Sequence, residues 1–488
     1  MRSRFFLTVA LTVLIAGCAR QRAAAQPARP DDVAPPNVVV FVADDANWDD
    51  VGAYGNDAIR TPVIDAMAAR GFLAERAFLT TPQCSPSRIS LLSGRYAHDT
   101  RTEDLHVPAP QGLRLLPSYL AQAGYVSGLM QKSHLGPAGD AQFDWYEDSV
   151  GADAVGRFLD HAGDRPFFLW VGFRDPHRPY PATDLPVRHD PAAVRVPPAL
   201  VDDAATRRDL ADYYDEIARM DAAIGAALDQ LDQRGLRQNT LAIYLSDNGR
   251  PFPRAKGTLY DDGVRTPFVA SWPARIAPGT VYPGLVSLID LAPTVLDLAG
   301  LDRAGLAGAE AMAGQSFAAA FTDPAVPGRD AVFAERNWHD ADEHMRALRT
   351  DRYKVIVNAY AERPHGSTLD ITTSPSWQSL FSGLRAGRLT PAQADLFRVP
   401  RPRVELYDVV EDPHELVNLA GLPAYADTLR TMLRALDAWS DDSNDFPSWT
   451  RHRDDILDRT TGVRFWWGDG PRDLPALQGA APEDPGDE

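Results

Sequence analysis

Apolar runs alternate with amphipathic segments along the first two thirds of the chain. Residues 37–43, 165–173 and 240–246 each form a nearly continuous run of β-branched, aliphatic and aromatic side chains, which is typical of parallel strands buried on both faces. Residues 204–231 instead carry apolar side chains at every third or fourth position, which predicts a long amphipathic helix. Because this alternation continues to about residue 325, we expect a doubly wound α/β core.

The pattern changes after residue 325. Short β-prone runs predict a small antiparallel sheet with strands at residues 331–334, 345–348, 353–358 and 404–407. A helix at about 425–439 is expected to pack on that sheet. We therefore assign residues 37–325 to the core domain and 326–450 to a smaller C-terminal α+β subdomain. The tail, residues 451–488, is expected to be partly disordered, because its last dozen residues are rich in Pro, Gly and acidic residues.

The first residues predict an export signal. Arg2 and Arg4 precede an apolar run at residues 5–16 that is too short to span a bilayer. The sequence Leu-Ile-Ala-Gly-Cys that ends at Cys18 resembles the bacterial lipobox. This implies a lipoprotein signal peptide over residues 1–18 and an exported lipoprotein, periplasmic or anchored in the outer membrane through lipid on Cys18. An ordinary secretory signal with a chance cysteine is the alternative. The residues that follow, 19–36, predict a flexible tether.

Charge and cysteine content narrow the chemistry. The 488-residue chain has a net charge of −18, which argues against a nucleic-acid partner. An anionic substrate would therefore have to be attracted by a local basic pocket. The chain has two cysteines, so lipid on Cys18 would leave Cys84 without a disulfide partner, which is unusual for an exported protein.

Oxygen-bearing side chains follow two of the predicted strands. Asp44 and Asp45 come directly after residues 37–43, and Asp247 and Asn248 directly after residues 240–246. Parallel α/β sheets bind ligands at the carboxyl ends of their strands. Because these ligands are all hard oxygens, we expect a Ca²⁺ site, with Mg²⁺ as the alternative.

The stretch Cys84-Ser85-Pro86-Ser87-Arg88 precedes an apolar run that ends at Gly94. This pattern predicts a helix with Ser85 near the N-cap, Pro86 at its first position and Gly94 just past its end. Cys84 would lie at the helix N-terminus, where the helix dipole favours negative charge. Cys84 is then either a buried structural cysteine or a nucleophile with Arg88 one turn away.

The Cys-x-Pro-Ser-Arg stretch resembles the signature of type I, formylglycine-dependent sulfatases. In that family a generating enzyme oxidises the cysteine to formylglycine, and the core has the alkaline-phosphatase-like fold. Further motifs that resemble the family lie at residues 131–136, 174–179 and 260–267. The resemblance implies a metal site formed by Asp44, Asp45, residue 84, Asp247 and Asn248. It implies catalytic roles for Cys84, Arg88, Lys132, His134, His177 and Lys256.

The same resemblance implies the mechanism. The hydrated formylglycine at position 84 attacks sulfur, while Arg88 and the metal hold its attacking hydroxyl. Lys132 and Lys256 neutralise the sulfuryl oxygens, and His177 or Lys256 protonates the leaving group. His134 then removes a proton from the other hydroxyl, so that the aldehyde re-forms and sulfate leaves.

Three segments resemble the heparan N-sulfatases in particular, and they lie at residues 173–178, 246–253 and 373–380. That resemblance implies removal of N-sulfate from a non-reducing-end glucosamine of heparan sulfate or heparin. The chain departs from those enzymes at Lys256, where they have arginine, and at residues 338–340, where they have His-His-Glu. The candidate substrate-binding residues are His98, Arg178, Trp338, His339 and Asp340.

Other functions stay open at this point. An O-sulfatase acting on another sulfated glycan, or a formylglycine-dependent phosphonate or phosphodiester hydrolase, would use the same basic groups around a metal. A non-enzymatic glycan-binding lipoprotein with this fold is the third reading, and the complete set of candidate catalytic residues argues against it.

Overall fold

The computed structural model describes residues 35–181, 185–341 and 343–445, and the backbone of a ribbon formed by Leu457–Asp458 and Val463–Arg464. The predicted signal peptide with Cys18 lies outside the described residues, as does nearly all of the predicted tether and tail. Among the helices of the described ranges, none combines the length and the apolar character needed to cross a membrane.

Nine strands of the described chain form a mixed sheet at the centre of the fold. They are β1 (Asn37–Ala43), β2 (Phe72–Phe78), β3 (Val126–Gln131), β4 (Trp145–Glu147), β5 (Phe167–Gly172), β6 (Thr240–Ser246), β7 (Arg265–Thr266), β8 (Phe268–Ser271) and β9 (Thr280–Ser287). Their order is β4-β3-β5-β1-β6-β8-β2-β7, with β9 beside β2. Five neighbouring strands are parallel to one another, namely β4, β3, β5, β1 and β6. The next strand, β8, runs antiparallel to β6 and to β2. The carboxyl ends of β1, β3, β5 and β6 therefore meet at one edge of the sheet.

Helices cover the sheet because its strands are apolar on both faces. In chain order they are α1 (Pro62–Ala69), α2 (Cys84–Ser93), α3 (Ala97–Thr100), α4 (Leu116–Leu120), α5 (Pro137–Asp140), α6 (Ala152–Ala162), α7 (Ala204–Gln233), α8 (Asp261–Val264), α9 (Leu291–Leu298), α10 (Leu369–Thr372), α11 (Pro375–Arg385), α12 (Pro391–Ala394) and α13 (Ala426–Ser443). Val39 and Phe41 of β1 share a buried cluster with apolar side chains of α1, α6 and α7. Val38 and Val40, which point to the opposite face, are equally buried.

Single 3₁₀ turns connect many of these elements. They lie at Gly52–Tyr54, Ala121–Ala123, Arg237–Asn239, Leu288–Asp290, Arg303–Gly305, Ala309–Ala311, Ala318–Phe321, Asp395–Phe397 and Pro423–Tyr425.

The described C-terminal region forms an antiparallel sheet of four strands. In both chain and spatial order these are β10 (Val332–Arg336), β11 (Met345–Arg349), β12 (Tyr353–Asn358) and β13 (Val404–Asp408). Leu348, Val355 and Leu406 on one face pack against Met432 and Leu436 of α13. The other face packs against β2 and α8 of the core. The predicted architecture, an α/β core with a smaller antiparallel sheet and its helix, is confirmed.

Candidate active site

Four oxygen-bearing side chains meet where β1 and β6 end. Asp44 and Asp45 follow β1, and Asp247 and Asn248 follow β6, its parallel neighbour in the sheet. The backbone N–H of Asp45 donates to Asp247 Oδ1 at 3.2 Å. Asn248 Nδ2 donates to Asp45 Oδ1 at 2.6 Å. The structure therefore brings together the four side chains that the sequence suggested as metal ligands.

Cys84 is the first residue of α2 and faces this cluster. Its Sγ lies 3.7 Å from Asp44 Oδ1 and 4.0 Å from Asp45 Oδ1. Burial raises the pKa of the Cys84 thiol, although the charges of Lys132 and Lys256 oppose that shift. Because cysteine reacts as the thiolate, the unmodified side chain is poorly suited to act as a nucleophile here.

The helix that carries Cys84 begins two residues earlier than the sequence predicted. Gln83, in an extended conformation, is the N-cap, and Gly94 ends the helix in the left-handed conformation at φ 67°. Ser85 thus lies inside the first turn and is not the N-cap, and its Oγ accepts from the backbone N–H of His106. Pro86 is tolerated in this turn because N–H groups of a first helical turn lack intrahelical acceptors.

Two cations connect the nucleophile helix to the strand ends. Arg88 Nε donates to Asp247 Oδ2 at 2.8 Å and its Nη1 donates to the backbone carbonyl of Lys132 at 2.7 Å. The ammonium of Lys132 forms an ion pair with Asp44. A Cβ at Gly172 would lie only 2.1 Å from the Lys132 carbonyl oxygen and 2.7 Å from Arg88 Nη1. The end of β5 therefore requires glycine for the two cations to pack as they do.

Lys256 lies between two carboxylates. Its Nζ is 2.8 Å from Asp45 Oδ2 and 2.9 Å from Asp370 Oδ2. Although burial opposes the shift, Asp370 and Asp45 raise the pKa of Lys256 well above its ordinary value. Lys256 is therefore a permanent positive charge and a poor proton donor.

His134 is a half-buried base that is held neutral. Burial, together with the charges of Lys132 and Arg88, holds the pKa of His134 well below its usual range. Its Nδ1 has no hydrogen-bond partner among the described residues. Because a neutral imidazole has one unprotonated nitrogen, His134 can accept a proton from a group bound beside Lys132.

His177 presents one ring nitrogen to the site. Its Nδ1 faces the carbonyl oxygen of Arg178, which can only accept, so Nδ1 carries a proton. Its Nε2 lies 3.7 Å from Asp370 Oδ2 and 3.9 Å from Asp45 Oδ2. A proton on Nε2 would therefore face the space between these carboxylates, where a leaving group can receive it.

A cavity of about 700 Å³ opens above these groups. Its lining includes six of the predicted catalytic and metal-binding residues, namely Asp44, Cys84, Lys132, His134, His177 and Lys256. The remaining wall is strongly charged, with Arg174, Asp175, Glu216, Arg219, Asp340 and Asp370 among its residues. A net-negative protein can thus present local cations to an anionic group at the bottom of this cavity.

Three predicted substrate-binding residues are placed differently from what the sequence suggested. His98 lies away from the cavity lining, and its Nδ1 is 3.0 Å from Glu335 Oε1. Arg178 reaches the wall, but its guanidinium forms a bidentate pair with Asp209 at 2.6 and 2.8 Å. Trp338 is only 1% exposed and packs beneath the cavity. Of these three side chains, only Arg178 therefore lines the cavity.

The next two predicted residues do line the cavity. His339 Nδ1 lies 3.0 Å from Asp340 Oδ2, and the same oxygen accepts from the backbone N–H of Leu369 at 2.8 Å. Asp340 has a left-handed backbone, with φ 61°. These contacts fix the start of α10, which carries Asp370 into the cavity.

The sequence did not single out Asp370, His106 or Glu216, although all three line the cavity. Asp370 precedes the segment at 373–380 that resembles N-sulfatases, which was the available hint of its importance. His106 and Glu216 lie in segments without a recognisable motif.

Comparisons with known proteins agree with this geometry. The family model described as sulfatase matches residues 36–154 and 138–301. The model described as N-sulphoglucosamine sulphohydrolase, C-terminal, matches residues 254–380. The human N-sulphoglucosamine sulphohydrolase is 34% identical over 472 residues, which cover 87% of this chain and 93% of that protein.

This chain belongs to the sulfatase family. An ulvan-active sulfatase from Formosa agariphila is 29% identical, with 84% of this chain and 76% of that protein covered. A solved structure described as a complex with its substrate D-glucosamine-2-N,6-O-disulfate has the same fold, with a TM-score of 0.63 and 18% identity over 85% of this chain and 99% of that one. Membership of this family identifies the protein as a hydrolase.

Sulfatases use a metal ion and a formylglycine, and the residues of this sulfatase fit both. One ligand atom from each of Asp44, Asp45, Cys84 and Asp247 lies within 4.8 Å of the others. Asn248 Oδ1 is buried beside them without a hydrogen-bond partner among the described residues. Since buried carbonyl oxygens are normally satisfied, this atom is best explained as a ligand of a cation in the cluster.

Proposed function

We propose that this sulfatase removes the N-sulfo group from glucosamine at the non-reducing end of heparan sulfate or heparin saccharides. The observation that carries the proposal is the match of residues 254–380 to the C-terminal model of N-sulphoglucosamine sulphohydrolases. That segment supplies Lys256 and the wall formed by His339, Asp340 and Asp370. The segment as a whole matches the N-sulfatase model, although positions 256 and 338–340 within it depart from the residues of those enzymes.

Calcium is the ion that we propose for the acidic cluster, with Mg²⁺ as the alternative. Asp44, Asp45, Asp247 and Asn248 would hold it together with residue 84, and these protein side chains offer oxygen. Ca²⁺ accepts six or more oxygen ligands in irregular geometry. When bound, the ion supplies positive charge next to residue 84 and the sulfuryl group.

Residue 84 is proposed to act as formylglycine, whose hydrate supplies one hydroxyl to attack sulfur and a second to release sulfate. Arg88 is proposed to hold the attacking oxygen, and its Nη2, which is buried without a hydrogen-bond partner among the described residues, supports this role. Lys132 and Lys256 bind the sulfuryl oxygens. A positive charge fixed in a buried site stabilises negative charge that develops in the transition state.

Two histidines are proposed to move the protons. His177 Nε2 donates a proton to the bridging nitrogen as the sulfur–nitrogen bond breaks, so that the amine leaves neutral with the electron pair of that bond. His177 is preferred over Lys256 as the donor because the two carboxylates around Lys256 hold its proton tightly. His134, which is neutral, accepts the proton lost from the hydroxyl of residue 84 when sulfate is released.

Export as a lipoprotein is also proposed. The basic residues before the apolar run at 5–16 and the lipobox-like sequence ending at Cys18 support it. The proposed modification of Cys84 requires a formylglycine-generating enzyme as a transient partner.

An O-sulfatase is the second candidate, and Lys256 favours it. Many sulfatases use lysine at this position, whereas the N-sulfatases that the chain resembles use arginine. The test is release of amine and sulfate from N-sulfoglucosamine and from glucosamine 6-sulfate, with residue 84 confirmed as formylglycine by peptide mass. We expect cleavage of the N-sulfate and little cleavage of the 6-sulfate, with Cys84→Ala inactive on both. Cleavage of the 6-sulfate alone would support the O-sulfatase and reject the proposed function.

A further inference from the structure

Asp370 is a cavity residue without an assigned role. It is the second residue of α10, its side chain is 18% exposed, and it lines the cavity. Its Oδ1 accepts from the backbone N–H of Ile371 at 3.0 Å and its Oδ2 accepts from Lys256 at 2.9 Å. A carboxylate has about four lone-pair sites, so these two hydrogen bonds leave it able to accept another from the cavity.

A sulfamate and a sulfate ester differ at the atom that bridges sulfur and sugar. The sulfamate has an N–H, which can donate a hydrogen bond, whereas the ester oxygen can only accept one. A site that selects the sulfamate therefore needs a hydrogen-bond acceptor close to the bridging atom. A carboxylate fixed at that place would favour the N–H and repel the lone pairs of the ester oxygen.

The donors that can protonate the bridging atom lie next to Asp370. Whichever group protonates it, His177 or Lys256, must approach it to hydrogen-bond distance, about 3 Å. Asp370 Oδ2 lies 3.7 Å from His177 Nε2 and 2.9 Å from Lys256 Nζ. An atom that is hydrogen-bonded to either donor on the side facing Asp370 can therefore also reach the Asp370 carboxylate.

The Asp370 side chain is an ionised carboxylate on a fixed backbone, and it is therefore suited to accept a hydrogen bond from a substrate. Although burial acts against it, Lys256 and His339 hold the pKa of Asp370 below its ordinary value. Asp340 anchors the start of α10 through Leu369 N–H at 2.8 Å. On another part of the wall, Asp175 and Glu216 are instead paired with Arg219.

We propose that Asp370 is the residue that selects N-sulfate over O-sulfate, by accepting a hydrogen bond from the bridging N–H of the sulfamate. The same carboxylate then faces the amino group of the product. This inference rests on the proposed function and deepens it, because it names the side chain that would make the site specific for a sulfamate.

The test compares Asp370→Asn with the wild type on a matched pair of substrates. Glucosamine N-sulfate and glucose 2-sulfate carry the sulfo group at the same carbon and differ in the bridging atom. Loss of a hydrogen bond to a charged acceptor lowers rates by roughly 10- to 100-fold. We expect kcat/KM for the N-sulfate to fall by about that factor relative to the 2-sulfate in the variant. Asp175→Asn, a matched substitution on another part of the wall, should keep the wild-type ratio.

The outcomes separate the inference from the proposed function. If the wild type cleaves only the ester, the proposed function fails before Asp370 is tested. If the wild type cleaves the N-sulfate and Asp370→Asn slows both substrates equally, Asp370 only positions Lys256 and the inference is overturned. An unchanged ratio at unchanged rates overturns it as well.

A measurement on the unmutated protein covers the case in which Asp370→Asn does not fold. Glucosamine and glucose are compared as competitive inhibitors of the wild type at a pH where the amine is protonated. Glucosamine should inhibit at least several-fold more strongly, since its ammonium faces Asp370. Equal inhibition by the two sugars would contradict the inference.

Discussion

Arg88 and Asp247 form an ion pair with no exposed surface on either side chain, and the Nε···Oδ2 distance is 2.8 Å. The pair joins α2, which carries residue 84, to the end of β6, which carries two of the proposed cation ligands. The nucleophile and the metal site are thus held in one geometry by a contact that is itself buried. Removing one partner of such a pair leaves an uncompensated buried charge.

Arg88→Gln should therefore damage both stability and activity. We expect the free energy of unfolding to fall by about 3–5 kcal/mol, as measured by denaturant unfolding. The control is Arg95→Gln, since Arg95 pairs with Asp99 at 2.6 Å on a partly exposed surface and such pairs contribute about 0.5 kcal/mol. Equal losses in the two variants would show that the buried pair has no special role.

Cys84→Ser should stop after one turnover. Serine can attack sulfur, with its proton passing to a base and the amine leaving, but it has no second hydroxyl to expel sulfate. We expect at most one equivalent of amine per chain and a mass increase of one SO₃ group on the protein. Cys84→Ala should give neither amine nor adduct, and multiple turnovers by Cys84→Ser would refute the proposed role of formylglycine.

Chelation should weaken the fold as well as the activity. Three carboxylates from Asp44, Asp45 and Asp247 lie together in the buried cluster, and they repel one another without a cation between them. After EDTA treatment, calcium added back at a hundred times its dissociation constant should stabilise the folded protein by about 2.7 kcal/mol. This stabilisation is measured as a rise in Tm. Asn248→Ala should need more calcium for the same rise. A Tm that responds to neither EDTA nor calcium would exclude a structural cation at this cluster.

His365 should make the C-terminal region less stable in acid. Burial, with the charges of Arg401 and Arg336, lowers the pKa of His365 well below the ordinary value of 6.5. Its Nδ1 faces Arg401 Nη1 at 3.1 Å, which requires an unprotonated nitrogen. Below pH 6.5 the unfolded chain therefore binds a proton that the folded chain does not, and the free energy of unfolding falls as pH falls.

This residue should contribute a slope of up to about 1.4 kcal/mol per pH unit below pH 6.5. His365→Gln should remove that contribution, so the stability of the variant should depend less steeply on pH between 6.5 and about 5. Urea unfolding of both proteins across that range measures the slopes. Parallel curves for the two proteins would mean that His365 is protonated in the folded state.

The sequence predicted the part of the site that depends on strand order. Asp44 and Asp247 follow strands whose apolar runs mark them as central and parallel, and parallel neighbours must end at the same edge. It did not place Asp370, because that position depends on how the C-terminal region folds back over the core. The prediction that His98 binds substrate was wrong for a related reason. His98 instead contacts Glu335, which lies on β10 of the C-terminal sheet.

The most direct test of the formylglycine mechanism is the rate of sulfate release from N-sulfoglucosamine as a function of the fraction of chains that carry formylglycine at position 84. Preparations with different degrees of conversion are quantified by peptide mass and assayed with calcium in excess. The formylglycine mechanism predicts a rate proportional to the converted fraction and no turnover by chains that retain Cys84. Turnover by unconverted protein, or none by fully converted protein, would contradict it.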